Sequence, residues 1–390
     1  MTEINHNQII KLRHHLHSIA EVSGEEYNTS TYLIDFLRKY AMGRAVQITA
    51  TGFVWIIETG KAGPNVMFRA ELDALPIAEI NRFHYRSADA SVSHMCGHDG
   101  HMAILVGTIM SVSADLPECG TYHFLFQPAE ETGQGAAAIL ASSKFDFSPD
   151  YIFALHNLPG YPVGKVLCKS ESFNAAVTSV AISFEGKTAH AAEPENGFNP
   201  ANAMAKTVAF AADLQNPNLS EEHFGLITPV YMELGEKAYG VAAGHGEVHF
   251  TLRAWTGEEL DRIRKQILAE VERLAQEYGL SVSVEWLESF AATNNDQQAV
   301  ELIERAANAA DIDFQMVAQP FKWGEDFGLF TEQFKGGFFG LGAGVKVPAL
   351  HNPDYDFPDA LIPHGVTMFR KLIDLTIEEG QSRISTVSPS

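Results

Sequence analysis

The six residues from Cys96 to His101 read Cys-Gly-His-Asp-Gly-His and contain the most suggestive metal donors of the sequence. The cysteine and the first histidine, Cys96 and His98, can reach one metal ion together when a glycine-rich turn opens a helix. Thiolate and imidazole are donors that suit zinc and its neighbours. An incidental cysteine in a glycine-rich turn gives the same local pattern, so a metal site requires further donors from other parts of the chain.

Further candidate donors stand where strand-like apolar runs end. The runs 66–72, 122–126, 151–155 and 337–341 lead to Asp73, Glu130, Glu131, His156 and His351. In an open α/β sheet the ligand site lies outside the carboxyl ends of the strands, so we expect these side chains to converge. Together with the cysteine and histidine above, they predict five ligands for two metal ions, with one ligand shared and one position left for water.

The adjacent carboxylates of Glu130 and Glu131 point in different directions, so one can bind a metal ion while the other faces water. Metal-assisted hydrolysis requires such a division, because the metal lowers the pKa of a water molecule and a nearby base accepts its proton. The spacing does not tell which glutamate has which task. A solvated turn with two carboxylates is the alternative interpretation of the same pair.

The elements that must position these residues follow two patterns. In the first and last parts of the chain, short apolar strands alternate with helical stretches, which predicts an α/β fold with a mostly parallel sheet and helices on both faces. Between them, the order β-α-β-β-α-β is typical of a ferredoxin-like α+β unit. We therefore expect a catalytic metal-binding domain of residues 1–177 and 290–390, interrupted by an inserted domain of residues 178–289.

The composition argues against several classes of partner. With 49 acidic and 27 basic residues, the chain has a formal charge of -22, which repels nucleic acids and anionic membranes. No apolar run approaches the roughly 18 residues of a membrane-spanning helix, and the N-terminal residues lack a signal pattern. Three cysteines in a chain without a signal fit a reducing compartment, so we expect a cytoplasmic protein.

Taken in order, these motifs resemble those of the M20 metallopeptidases, in particular the amidohydrolase branch of hippurate hydrolases, aminoacylases and auxin-conjugate hydrolases. The matching segments are Arg69–Pro76, Cys96–His101, Gln127–Glu131, Gly186–His190 and Gly324–Phe327, with the surroundings of His156 and His351. They run in order over nearly the whole chain, and their joint pattern is specific. The resemblance implies metal-dependent hydrolysis of the amide bond of a small N-acylated amino acid or peptide-like substrate.

The resemblance also implies roles for the candidate residues. Two divalent metal ions, zinc or manganese and alternatively cobalt or nickel, would be held by Cys96 as the bridging candidate, His98, Glu131, His156 and His351. Glu130 would act as the general base and later protonate the leaving amine. Asp73 would orient a metal ligand.

The inserted domain would serve as a lid and as the contact of a homodimer. His190 would reach the site from the partner subunit and stabilise the oxyanion of the tetrahedral intermediate. Arg253 would pair with the carboxylate of the substrate through a bidentate fork. Without the resemblance, a polar loop histidine and an ordinary strand arginine would explain these two residues.

Two positions depart from the family pattern. Glu71 stands where the branch usually has aspartate, and Gly240 stands where many relatives have asparagine. An asparagine at that position could help to bind the substrate or the intermediate across a dimer. We therefore expect the specificity for the acyl group or the carboxylate to differ.

The sequence leaves other functions open. A metal- or ligand-binding protein without catalytic activity would share the fold, and so would a dipeptidase of the same family. Glu130 is present, so nothing at this position indicates that catalytic activity has been lost. Gly340, Gly342 and Gly344 suggest a nucleotide-dependent oxidoreductase, but they lack the G-x-G-x-x-G spacing and are better explained as a glycine turn. A hydrolase with Cys96 as its nucleophile would leave the other candidate donors without a task.

Overall fold

The computed structural model describes the backbone of residues 3–387 and the side chains of residues 6–381. Contacts divide the chain into two compact units. The first comprises the chain up to residue 173, residues 293–318 and the chain from residue 326. The second comprises residues 174–292 and 319–325, so it includes a short segment that lies outside the inserted domain expected from the sequence.

The elements follow one another along the chain in three stretches. The first stretch contains α1 (Glu3–Ser18), α2 (Tyr27–Tyr40), β1 (Arg44–Gln47), β2 (Phe53–Glu58), β3 (Asn65–Glu71), α3 (His98–Ala114), β4 (Thr121–Gln127), α4 (Gly135–Ala141), β5 (Tyr151–Pro159), β6 (Val166–Cys168) and β7 (Glu171–Asn174). The second contains β8 (Ala176–Glu185), β9 (Ala189–His190), α5 (Ala201–Leu214), β10 (Gly225–Leu234), β11 (Val241–Ala242), β12 (His245–Ala254), α6 (Gly257–Tyr278) and β13 (Ser281–Phe290). The third contains β14 (Thr293–Asn295), α7 (Gln297–Ala309), β15 (Phe314–Met316), α8 (Gly328–Thr331), β16 (Gly336–Gly344) and α9 (Ile362–Val387). Among the described residues, no helix is both long and apolar enough to span a membrane.

An eight-stranded sheet forms the centre of the first unit, in the order β1-β2-β4-β3-β5-β16-β6-β15. Strands β4, β3, β5 and β16 run parallel to one another, and β15 is parallel to β6. The pairs β1–β2, β2–β4 and β16–β6 are antiparallel. The fold is therefore mixed α/β with a large, mostly parallel sheet, which confirms this part of the prediction.

The central strands of this sheet are buried on both faces. Alternate residues, such as Phe68, Phe124 and Phe153, join the main hydrophobic core. The ring of Phe68 lies 5.8 Å from that of Phe124 and 5.9 Å from that of Phe153. Residues between them, such as Met67 and Ile152, are buried as well. Burial of both faces is what unbroken apolar runs indicate for parallel strands.

Helix α3 begins at His98 and is apolar and buried along most of its length. Gly97 precedes it with φ +93°, in the left-handed region that favours glycine, and a Cβ there would come within 2.7 Å of the Asn157 side chain. The helix packs against α1, α9 and β3. The core of the unit therefore fixes the residues at the start of α3.

The second unit contains a four-stranded antiparallel sheet in the order β10-β12-β8-β13, which α5 and α6 contact. Its main elements follow the order β-α-β-β-α-β. Helix α6 begins after Thr256, whose hydroxyl accepts the N–H of Glu259 at 3.2 Å, as expected for an N-cap. Leu260, Ile263 and Ile267 on its apolar face join the core of this unit.

The glycines that we expected in a turn lie in a strand, because β16 continues to Gly344. Close neighbours explain the small residues. A Cβ at Gly340 would come within 2.1 Å of the Leu158 side chain, and a Cβ at Gly342 within 2.1 Å of the carbonyl oxygen of Pro162. The prediction of a glycine turn is therefore wrong, and these glycines make room inside the sheet.

Candidate metal centre

The candidate donors lie at the carboxyl ends of β3, β4 and β5 and in the segments that follow. Asp73 comes directly after β3, His98 opens α3, and the loop after β4 carries the two adjacent glutamates. His156 lies within β5, which extends to Pro159 and is longer than the sequence indicates. Residues distant in sequence thus share one region, as the rule for open α/β sheets predicts.

The five predicted metal ligands form two overlapping groups. In the first group, the ligand atoms of Cys96, His98 and His156 lie within 4.8 Å of one another. In the second group, the same holds for Cys96, Glu131 and His351. Sγ of Cys96 is 3.4 Å from Nε2 of His156. Cys96 belongs to both groups, and its role as a bridging ligand stays a prediction.

Backbone carbonyl groups orient two of the histidine rings. Nδ1 of His98 donates to the carbonyl oxygen of Asp73 at 2.9 Å. Nδ1 of His156 donates to the carbonyl oxygen of Asn157, also at 2.9 Å. A carbonyl oxygen only accepts, so the neutral rings carry their proton on Nδ1 and offer the lone pair of Nε2 to a metal ion.

The side chains of this centre fit a divalent cation. Nε2 of His98 is buried and has no hydrogen-bond partner within the part of the chain that the structure describes. The nearest carboxylate oxygens, from Glu130 and Glu131, lie 3.8 and 3.9 Å away. These distances exceed those of hydrogen bonds and leave room for an ion between the atoms. One thiol, three imidazoles and a carboxylate are donors that suit zinc and its neighbours.

Buried carboxylates make the centre favourable for positive charge. Burial lowers the pKa of His98, but the hydrogen bond to Asp73 and the nearby carboxylates outweigh burial and raise this pKa to about 10. Burial, followed by the charge of Glu131, raises the pKa of the Cys96 thiol well above its ordinary value. Both pKa shifts reflect negative charge around His98 and Cys96, and a divalent cation would supply the positive charge that balances it.

Asp73 connects two of the candidate ligands. Its Oδ1 lies 3.6 Å from Nδ1 of His98, and its Oδ2 accepts the backbone N–H of Glu131 at 3.0 Å. Ser23 donates to the same Oδ2 at 2.7 Å. Burial raises the pKa of Asp73, but the hydrogen bond to His98 outweighs burial and lowers it. The carboxylate is thus in contact with the residues it would have to orient.

His351 differs from the other candidate ligands in its exposure. Its side chain is 51% exposed, and Nε2 lies 3.7 Å from Oε2 of Glu131. Its φ of +66° lies in the left-handed region, which few non-glycine residues adopt. The backbone N–H of His351 donates to the carbonyl oxygen of Met95 at 2.9 Å. This bond ties the loop of His351 to the segment that carries the cysteine.

His101 and Asn157 form a buried network behind the donors, and the sequence motifs do not predict it. Nδ1 of His101 lies 2.6 Å from Oε2 of Glu71, and Nε2 lies 2.5 Å from Oδ1 of Asn157. Glu71, His98 and His101 could by distance hold a cation, but the guanidinium of Arg69 contacts Glu71 and disfavours a positive ion there. The only sequence signal for this network is that His101 belongs to the Cys96–His101 motif.

Asp99 anchors the first turn of α3 to helix α1. Its Oδ2 accepts from Arg13 at 3.2 Å and lies 2.9 Å from Nδ1 of His17, and all three residues are buried. Burial lowers the pKa of His17, but hydrogen bonds to Asp99 and Glu79 outweigh burial and raise this pKa to about 9. The residue next to His98 is therefore held by charged partners.

The two other predicted site residues, His190 and Arg253, lie in the second unit. His190 is exposed, and its Nδ1 accepts the N–H of Ala192 at 3.0 Å. Arg253 lies in β12 and donates to the carbonyl oxygen of Lys322 at 2.6 Å. A Cβ at Gly240 would meet no atom within 4 Å, so space does not explain the glycine there. The roles of His190 and Arg253 stay predictions.

A mostly parallel α/β sheet with buried metal donors and paired glutamates at its carboxyl edge is typical of a metal-dependent hydrolase. Comparison with known proteins narrows this class, because residues 67–375 match the model of Peptidase family M20/M25/M40. The chain belongs to this family. The resemblance seen in the sequence motifs is confirmed.

Individual relatives agree with this assignment. N-acetyl-L-cysteine deacetylase of Bacillus subtilis (strain 168) is 30% identical over 380 residues, which cover 97% of this chain and 90% of that protein. N-acetyldiaminopimelate deacetylase of Lactobacillus helveticus is 27% identical over 378 residues, covering 95% and 98%. A dinuclear metal binding M20 peptidase of Bacillus subtilis has the same fold, with a TM-score of 0.83 and 24% identity over 97% of this chain and 99% of that chain. The chain is a metal-dependent amidohydrolase.

Proposed function

We propose that this protein hydrolyses the amide bond of an N-acyl amino acid and that two divalent metal ions serve the reaction. The observation that supports this most strongly is the convergence of the five donors beside a second carboxylate, that of Glu130. The names of the relatives describe deacetylases of N-acetyl-L-cysteine and of N-acetyldiaminopimelate. The five donors account for two metal ions without Glu130, which leaves its carboxylate for a proton transfer and favours catalysis over metal binding alone.

The ions would be held by Cys96, His98, Glu131, His156 and His351, with Cys96 between the two groups. When bound, the ions would activate a water molecule and polarise the carbonyl group of the substrate. The mixed donors favour zinc or manganese, with cobalt and nickel as alternatives.

The two adjacent glutamates have different surroundings, which supports different tasks. Glu131 lies near two candidate ligands, because its carboxylate is 3.9 Å from Nε2 of His98 and 3.7 Å from Nε2 of His351. Glu130 is buried and lies 3.8 Å from His98. We therefore assign Glu131 as the ligand. Glu130 would accept the proton of the attacking water and transfer it to the leaving amine.

A substrate panel tests the proposed function. We expect protein loaded with zinc or manganese to release the free amino acid from at least one N-acetyl, N-benzoyl or longer-chain N-acyl amino acid, measured as new primary amine. If Arg253 pairs with the substrate carboxylate, the matching N-acyl amino acid amides should show a higher KM. Absence of hydrolysis across the whole panel would contradict the proposed function.

We also propose that the second unit is a ferredoxin-like lid through which two chains form a homodimer. Strand β10 is a terminal strand of its sheet, and its side chains at Val230, Tyr231, Met232 and Leu234 are exposed. An apolar edge strand is suited to pair with a second copy of the chain. In such a dimer, His190 would stabilise the oxyanion in the site of the other subunit. A cytoplasmic location stays a prediction from the sequence.

Hybrid dimers test the shared site. His190→Ala and Glu130→Gln chains should each be nearly inactive as pure preparations. After mixing and subunit exchange, about a quarter of the wild-type activity should return, because half of the dimers are hybrids and each hybrid has one complete site. The control is wild-type chain mixed with the His190→Ala, Glu130→Gln double variant, which should lose about half of its activity on exchange because neither site of such a hybrid is complete. Inactive hybrids, once their formation is verified, would contradict the role of His190.

A further inference from the structure

The loop between β4 and α4, residues 128–134, carries both glutamates of the candidate site and is here called the glutamate loop. Ala129 directly precedes Glu130 and has a φ of +50°, in the left-handed region that is unfavourable for a non-glycine residue. Its carbonyl oxygen accepts the N–H groups of Gln134 and Gly135 at 3.3 and 3.0 Å. The direction in which Glu130 leaves the backbone therefore depends on a strained residue that its surroundings must hold.

Three buried carboxylates hold the backbone of this region. The N–H of Ala129 donates to Glu26 at 2.9 Å, and the N–H of Glu131 donates to Asp73 at 3.0 Å. The N–H of Ala136, in the first turn of α4, donates to Asp326 at 2.8 Å. The three acceptors come from separate parts of the sequence. They meet at the backbone of residues 129–136 only because the first unit is folded.

Glu26 accepts the N–H of the residue directly before Glu130, and it is fully buried. Its Oε1 accepts the N–H groups of Gly24 at 2.7 Å and of Ala129, and its Oε2 accepts the hydroxyl of Thr51 at 2.8 Å. None of these three partners is a candidate metal ligand. Asp73 differs, because it also contacts His98. A change at Glu26 therefore acts on the glutamate loop without removing a contact to the donors.

We propose that Glu26 is a positioning residue for the reaction, which fixes Ala129 and thereby the direction of the Glu130 carboxylate. The inference rests on the proposed function in taking Glu130 as the general base. A base must lie within hydrogen-bond reach of the water that it deprotonates, and a displacement of about 1 Å can cost a factor of 100 in rate.

Three substitutions separate this role from general stability. Glu26→Leu has a similar size but removes the acceptor. Glu26→Gln keeps a carbonyl oxygen in the place of Oε1, and its amide can donate to Thr51, whose hydroxyl also accepts. Glu26→Asp keeps the charge but draws the carboxylate back by about 1.5 Å. Glu26 is the N-cap residue of α2, but its side chain makes no capping hydrogen bond, so the exchange removes no side-chain cap from that helix.

We expect kcat to fall by about 10- to 100-fold in Glu26→Leu and by about tenfold in Glu26→Asp, with KM changed by less than about threefold. Glu26→Gln should restore kcat to within about threefold of wild type. A second readout is amide hydrogen exchange of the metal-free protein at residue level. The Ala129 amide should exchange faster in the leucine and aspartate variants and at the wild-type rate in the glutamine variant. The amide of Glu131, held by Asp73, and the amides of α3 are the internal controls.

Three results would overturn the proposal. One is wild-type kcat in Glu26→Leu or, if that variant does not fold, in Glu26→Asp. Another is a Glu26→Gln variant as slow as Glu26→Leu, because the acceptor would then not be the cause. The last is faster exchange throughout α3, which would indicate a general loss of stability. Failure of the proposed function has a different sign, namely absence of hydrolysis by the wild-type protein across the substrate panel, and it leaves the amide exchange of the Glu26 variants as a separate readout.

Discussion

Glu130→Gln is expected to lower turnover by at least about 100-fold while both metal ions remain bound. The amide has nearly the shape of the carboxylate but cannot accept the proton of a water molecule. Glu130 is buried and its carboxylate lies 3.8 Å from Nε2 of His98, which places it beside the candidate metal ligands. The loss should therefore appear in kcat, with KM little changed.

Metal content and activity must be measured on the same preparations to make this result informative. Metal content can be measured by atomic emission, and kcat by release of amine from an N-acyl amino acid. Glu131→Gln should behave differently, because it weakens a ligand and should lower the metal content. Glu118→Gln is the neutral control, at an exposed glutamate that lies before the first residue of β4, whereas the loop with Glu130 follows the last. Turnover near the wild-type value in fully loaded Glu130→Gln would show that the base is another group.

Dialysis against a chelator is expected to abolish hydrolysis, with a loss of at least about 1,000-fold, and added zinc, manganese or cobalt should restore part of the rate. Without cations, the buried Cys96 thiol has a pKa well above its ordinary value, and His98 has a pKa of about 10. Neither group then offers a nucleophile for the amide. The metal-free protein should also unfold at a lower temperature, because ligands that bind the folded state stabilise it.

Two cysteine variants make the metal experiment specific. Cys96→Ala should bind fewer than two ions and stay slow after metal is added, because both donor groups include this residue. Cys119→Ala is the matched control, since Cys119 is a free, partly buried cysteine outside these groups. Circular dichroism should show that the chelated protein keeps its fold. Full activity in protein verified to be free of metal would exclude the two-metal mechanism.

The sequence allowed the donors to be predicted because one rule of parallel sheets links local pattern to position. Glu131, His156 and His351 follow apolar runs in the sequence, and the carboxyl ends of such strands meet at one edge, whereas Cys96 and His98 are indicated by their own motif. The same rule does not cover Glu26, which lies before α2 and reaches Ala129 only through the folded chain. The contact between His101 and Glu71 is likewise a matter of packing behind the donors. Acceptors of this kind have no local sequence pattern.

The structure differs from the sequence predictions at two places, and the physical causes of both differences cannot be seen in the pattern of a single sequence. Glycine runs usually indicate turns, but in β16 the glycines are needed because Leu158 and Pro162 approach the strand closely. The segment 319–325 belongs to the second unit, although the residues directly before it, 293–318, already belong to the first unit. There Phe321 pairs with Asn174 in an isolated bridge, and its carbonyl oxygen accepts the N–H of Ala175. Such pairings join residues too distant in sequence for periodicity to reveal.

The wide separation of the donors along the chain has a consequence for how this centre can be inherited or lost. A truncated gene product that stops before His351 lacks one donor, and one that starts after Cys96 lacks another. The centre therefore cannot be transferred between proteins as one short segment, whereas a site that lies within a single compact loop can. Proteolytic cleavage that releases the last part of the first unit would remove His351, so metal binding and activity would be lost together.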